Sequence, residues 1–431
     1  MKKSPMFVLL ILASLLSSCK KDNTDLTKDN NEEQAQINAA DLMLGIVPNK
    51  PTEKAADSLF IDNTANFFVE LFKNTTQDKK NSLISPISVL LALSMTANGA
   101  ENNTLSQMEQ VLGAGMPIAE LNQYLHTYVN SLPSEEKSKL HIANSIWFKE
   151  GFQVKKDFLQ TNADHYGANA YQSAFDETAR EDINLWVKIN TDGMIKEILS
   201  EPIDPRVMMY LINAVAFDAE WEEIYKQDQV SPGEFTNIHN QKQTVEFMSS
   251  TESIYLEDDK AIGFVKPYLN NKYSFVALLP NEDIAMKDYI ESLSGTGLIS
   301  TLKKTQGASV QARLPKFSYD YSINMNEALK ALGMPEAFEQ HKANLRKIAD
   351  LLPLQNLYIS KVFHKTFIEV NERGTKAGAA TSVTVQMNSA IMEQKKVILD
   401  RPFVYAIVDN ATNLPIFMGV LTNIETHAKP L

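Results

Sequence analysis

The residues whose types and spacing stand out lie between Glu369 and Met387, EVNERGTKAGAATSVTVQM. What they could do is add a strand to a sheet, not make or break a bond. As a loop the stretch is long and poor in turn chemistry. As a helix it is weak, because Thr375, Thr381, Val383, Thr384 and Val385 are β-branched. Read as a strand it sorts cleanly. One face carries Thr375, Ala377, Ala379, Thr381, Val383 and Val385; the other carries Lys376, Gly378, Ala380, Ser382, Thr384 and Gln386. The first set is small and uncharged, so it can enter a sheet interior without burying a charge. Gly374 and Gly378 give backbone freedom near its start. Familiar catalytic patterns are absent from the chain: there is no G-x-S-x-G, H-E-x-x-H, P-loop or paired C-x-x-C. The seven histidines are scattered without metal-ligand spacing, and Gly295-Thr296-Gly297 reads as a loop.

The elements around this stretch mix helices and strands without a regular βαβ beat, which favours an α+β class. Apolar spacing predicts helices over 58–71, 86–98, 104–112, 182–199 and 324–332. Strands are predicted over 140–148, 208–217, 273–279, 311–317, 357–370, 403–408 and 416–421.

The chain has 431 residues and a net charge of -12, which argues for solubility and against non-specific nucleic-acid binding. Its N-terminus has the form of an export signal. Lys2 and Lys3 precede an apolar run from Met6 to Leu16, too short to span a membrane, that ends in Leu16-Ser17-Ser18-Cys19. This resembles the bacterial lipobox, with Cys19, the only cysteine, as the lipidated residue. Several acyl chains on that residue would anchor the chain stably. The expectation is a signal peptide over 1–18, a polar flexible tether over 19–56 and a globular domain over 57–431. The exported lipoprotein would sit in the cell envelope, at the outer membrane or cell surface.

The stretch Glu372-Arg373-Gly374-Thr375-Lys376-Ala377-Gly378-Ala379-Ala380-Thr381 is similar to the hinge of the serpin family. NSLISPISVLLALSMTANGA from Asn81 resembles the family's shutter segment, and NAVAFDAEWEEIY from Asn213 its breach strand. LPKFSYDYSINMNEALKALGMPEAF from Leu314, HKTFIEVNERGT from His364 and RPFVYAIVDNATNLPIFMGVLTN from Arg401 extend the likeness from about Ser58 to Ile424 in the family's order. The resemblance implies three β-sheets, eight or nine helices and an exposed reactive loop.

It also implies a mechanism. A protease cuts the loop and forms its acyl-enzyme; the loop then inserts into the central sheet and drags the protease along. The shutter would comprise Ser85, Ser88, Asn213 and His364, and the breach Trp221. Counting from the hinge glutamate places the cut at Asn388-Ser389 or, one residue earlier, at Met387-Asn388. Met387 suits elastase-, subtilisin- or chymotrypsin-like enzymes, with cysteine proteases open. Trypsin-like enzymes would be drawn to Lys395 and Lys396, too far downstream for a tight trap. The protein would be a monomer, not an enzyme, and needs no cofactor or metal. The alternative is a non-inhibitory serpin acting as a binding protein. Two departures stand out: Lys376 occupies a usually acidic position, and Gly378 interrupts the small-residue run.

Overall fold

The computed structural model describes residues 36–304, 306–351, 356–375 and 394–425. Among them are nine α-helices and three sheets, of seven, nine and two strands. The three-sheet α+β expectation holds. The central sheet runs in the order Ala40–Asp41, Asn169–Ser173, Ser138–Lys149, Met209–Glu220, Gly374–Thr375, Lys361–Val370, Phe317–Asn324. Its middle strand Met209–Glu220 is buried at every position but Asp218, so it reads in sequence as a continuous apolar run. Lys361–Val370 alternates instead: Val362, His364, Thr366, Ile368 and Val370 turn to the core.

The nine-stranded sheet is held together by the long strand Lys242–Glu257, which pairs with Val230–Thr236, Gln306–Pro315 and Ala261–Pro267. The third sheet pairs Gln153–Val154 with Ala349–Asp350.

Local sequence explains the helices that matter here. Ser58–Thr75 starts where the Asp57 carboxylate accepts the Phe60 N–H at 2.9 Å. Pro86–Ala97 starts on Pro86, where the missing N–H costs nothing. Every residue of this helix is buried, and Ser88 and Ser94 are buried with it. Glu177–Asn190 lays Ile183, Trp186 and Val187 on Trp147, Tyr210, Ile212 and Ala214 of the central sheet, forming a second apolar cluster. The helix predicted over 182–199 is therefore displaced. It begins at Glu177 and stops at Asn190, because Asp192 and Gly193 take left-handed backbone angles. No helix among the described residues is long and apolar enough to cross a membrane.

The expected tether over 19–56 needs correction, since the compact body begins at Ile37. The backbone N–H groups of Asn38 and Ala39 donate to the Asp182 carboxylate at 3.0 and 2.7 Å, which ties the arm to the middle of helix Glu177–Asn190. Ala40–Asp41 then adds an antiparallel edge to Asn169–Ser173. Leu42, Met43 and Ile46 pack against the main core. Farther on, the Asn49 N–H donates to Asp164 at 2.7 Å and the Lys54 N–H to Thr127 Oγ1 at 2.8 Å. Polar composition hid this arm because its bonds are mostly backbone-to-side-chain and carry no apolar period.

Candidate functional site

The two central strands Met209–Glu220 and Lys361–Val370 run parallel, yet they pair directly only at one end, over Tyr210–Ala214 and Lys361–Lys365. At the other end Gly374–Thr375 lies between them. It is antiparallel to both, with Thr375 opposite Ala219 on one side and Val370 on the other. Strands pair at about 4.8 Å, so the two are one spacing apart at the closed end and two at the open end. The sheet thus contains a wedge-shaped slot with Gly374 and Thr375 in its mouth.

The register of the slot is continuous. Val370 lies as far along the chain from Ala219 as His364 does from Asn213, so no bulge intervenes between the two ends. Each further residue of an inserting strand would face both members of one pair across the slot.

At the mouth, Gly374 passes so close to Ala219 that an added Cβ would lie 2.0 Å from its carbonyl oxygen. Only glycine fits. Thr375 is 3% exposed, and its hydroxyl shares a 2.6 Å hydrogen bond with the Tyr268 hydroxyl. Glu372 ion-pairs with Lys316 at 2.8 Å, and Lys316 also reaches Glu246 at 3.0 Å. Burial tends to raise the Glu372 carboxyl, but the Lys316 ammonium outweighs it and holds the group below the usual carboxylate range. Trp221 is buried beneath this turn, stacked on Tyr268 at 4.5 Å and edge-on to Phe275 at 5.9 Å. Its indole N–H donates to the Asn371 carbonyl at 2.9 Å.

At the closed end the polar residues gather. His364 and Asn213 are opposite each other in the parallel pairing, and both are fully buried. The Ser85 backbone N–H donates to His364 Nε2 at 3.0 Å, and Asn213 Nδ2 donates to Asn144 Oδ1 at 2.8 Å. Ser85 Oγ, Ser88 Oγ, Asn213 Oδ1 and His364 Nδ1 find no hydrogen-bond partner among the described residues. Burial pushes the His364 imidazole down to about 3, so it is neutral and accepts through Nε2. A histidine whose folded pKa lies below its unfolded value of about 6.5 destabilises the fold as pH drops from 6.5 toward 3. Thermal midpoints measured from pH 7 to pH 4 should therefore fall more steeply for the natural chain than for His364→Gln. The extra slope should approach about 1.4 kcal/mol per pH unit. Parallel curves would mean His364 is not held neutral in the fold.

Sequence reading named Ser85, Ser88, Asn213, His364, Trp221, Glu372, Gly374 and Thr375. The structure gathers Ser85, Asn213 and His364 at the closed end of the slot and the last four at its mouth, while Ser88 is buried three residues beyond Ser85 in helix Pro86–Ala97. Ala377, Gly378, Ala379, Ala380, Thr381, Met387, Asn388, Ser389 and Cys19 lie outside the described residues. Sequence reading missed Asn144, Tyr268 and Lys316. Lys316 lies inside the family-like stretch from Leu314, but a lone exposed-looking lysine gives no sign of a partner that distant in sequence.

The sequence matches the family profile "Serpin (serine protease inhibitor)" over residues 62–424. The chain belongs to the serpin family. It is 54% identical to the thermophilic serpin tengpin, whose native-state crystal structure covers 90% of this chain and 100% of its own at a TM-score of 0.86. Tengpin in the latent state matches less closely, at 52% identity, 87% and 100% coverage and a TM-score of 0.78. Serpin B6 of Pongo abelii is 31% identical over 82% of this chain and 96% of its own. In this serpin the two central strands pair directly over Tyr210–Ala214 and Lys361–Lys365.

Proposed function

We propose that this serpin is an irreversible inhibitor of serine endopeptidases that works by inserting its cut loop into the central sheet. The observation that carries the reading is the slot, whose two walls keep one register from the occupied mouth to the closed end. Continuing from Thr375 brings Ala377 level with Phe217 and Ile368, and Ala379 level with Val215 and Thr366. Thr381 comes level with Asn213 and His364. Insertion must therefore break the shutter pairing and replace it with two new ladders. Residues on the face away from the core would run under helix Glu177–Asn190, where Ala380, Ser382 and Thr384 are level with Ala214, Ile212 and Tyr210. Small side chains suit that space. Lys376, the departure from the usual acidic residue, comes level with Asp218 and Glu369, two half-buried carboxylates.

Incubation with elastase-, subtilisin- and chymotrypsin-like proteases should give a covalent adduct that survives boiling in detergent. Mass spectrometry of the released C-terminal peptide should find it starting at Asn388 or Ser389. Cut chain without adduct, across all three enzyme types, would overturn the inhibitory reading. A peptide from a productive complex starting at Lys396 or Val397 would overturn the loop length. Cysteine proteases form acyl-enzymes too and are secondary targets. The basic start, short apolar run and Cys19 support export and lipid anchoring at the cell envelope.

A further inference from the structure

The hinge turn is gripped by its carbonyls. The Trp221 indole N–H donates to the Asn371 carbonyl, the Tyr225 backbone N–H to that of Glu372, and the Trp221 backbone N–H to that of Arg373, each at 2.9 Å. Three consecutive carbonyls of the pivot are thus held by two aromatic residues. Both aromatics rest on one cation. Lys266 Nζ lies 4.4 Å from the centre of the Tyr225 ring and 5.5 Å from that of Trp221.

Lys266 is almost wholly buried, on the strand Ala261–Pro267 of the nine-stranded sheet. A buried ammonium persists only with a partner. Here the partner is Glu252, 3.0 Å away and also buried. The Ser250 hydroxyl donates to Glu252 at 2.6 Å and sits 3.3 Å from the Tyr225 hydroxyl. Tyr225 is therefore fixed at its ring face, its hydroxyl and its backbone. An apolar side chain at 266 would fill the volume without ordering the two rings.

We propose that Lys266 is a positioning residue for loop insertion, a buried cation on which Trp221 and Tyr225 stand to hold the Asn371–Arg373 pivot in line with the slot. The proposal rests on the inhibitory reading. After cleavage, insertion competes with hydrolysis of the acyl-enzyme. A pivot held in line keeps Gly374 and Thr375 in register with Glu220 and Ala219, so that the residues after them enter in step; a loose one delays insertion and lets the protease escape.

The test uses the full chain carrying Lys266→Met together with Glu252→Gln, so that no unpaired charge is left buried. Hydrogen exchange at the Trp221 and Tyr225 amides should quicken about tenfold, while Phe403–Asp409 is unchanged. Inhibitor consumed per protease trapped should rise at least about twofold, with the rate of loop cleavage unaltered. Unchanged exchange at Trp221 and Tyr225 would overturn the clamp whatever the protein inhibits. Faster exchange throughout would mean Lys266 only supports the fold, and would overturn it as well. A natural chain that traps no protease sinks the inhibitory reading, whereas a trapping natural chain with an indifferent double variant sinks the role of Lys266 alone.

Discussion

Ala379→Glu is expected to turn the inhibitor into a substrate. In the register set at the mouth, position 379 comes level with Val215 and Thr366, on the face shared with Val362, His364, Ile368 and Val370. Thr366 is fully buried, with its hydroxyl committed to the Leu83 carbonyl at 2.8 Å, so it cannot receive a carboxylate. A lone charge there costs several kcal/mol, enough to lose a race against deacylation. The adduct fraction should drop at least about tenfold, since 1.4 kcal/mol of barrier is a factor of 10. Loop cleavage should continue at the natural rate. Thr375→Arg should behave alike, but Thr375 is already buried against Tyr268 before any cut, so Ala379→Glu isolates the inserted state. The matching control is Lys376→Ala, on the opposite face, which should keep most of the adduct. Undiminished trapping by Ala379→Glu would show that the buried face is the other one, with the register off by one residue.

Cutting the loop is expected to raise thermal stability sharply. The intact sheet holds five residue pairs between its central strands and a two-residue wedge. Insertion as far as Val385 would exchange those pairs for ladders on both sides of a new strand and bury Ala377, Ala379, Thr381, Val383 and Val385. Each ladder bond contributes about 0.5–1.5 kcal/mol net, so the gain is on the order of 10 kcal/mol. For a domain of this size that is on the order of 10 °C in melting midpoint. The intact form would then be trapped by the cost of opening the closed end, making its lifetime a kinetic property. Melting of intact and nicked samples side by side decides it. Equal midpoints would favour a serpin that serves as a binding protein.

Gly374 and Thr375, the residues that occupy the slot's mouth, were legible because they open a stretch whose alternation of small and polar residues is a strand signal whether or not the strand is paired. His364 and Trp221 were legible only through their motifs, since one buried histidine and one indole look like core residues. The slot itself was not legible. Its walls are 151 residues apart in the chain, and nothing in either strand states that the other fails to pair beyond Lys365. Lys266 and Glu252 were invisible for a related reason: a charge inside a strand reads as a solvated position until both partners are known to be buried. The arm from Ile37 to Lys54 reads as tether in the sequence because its attachments depend on Asp182, Asp164 and Thr127, residues of three different helices.

That arm bears on what this protein does in a crowd. Under the proposed mechanism, a sheet that takes a strand into its middle would be open to any extended peptide, its own kind included. The slot answers with specificity, through a glycine-tight mouth and a face that rejects charge. The rim has no such filter, for an edge strand will template almost any neighbour. Ala40–Asp41 occupies the rim at Asn169–Ser173, pinned there by Asp182. Two residues of the chain's own arm thus cover that flank, which leaves the slot as the place where the proposed mechanism would admit a strand.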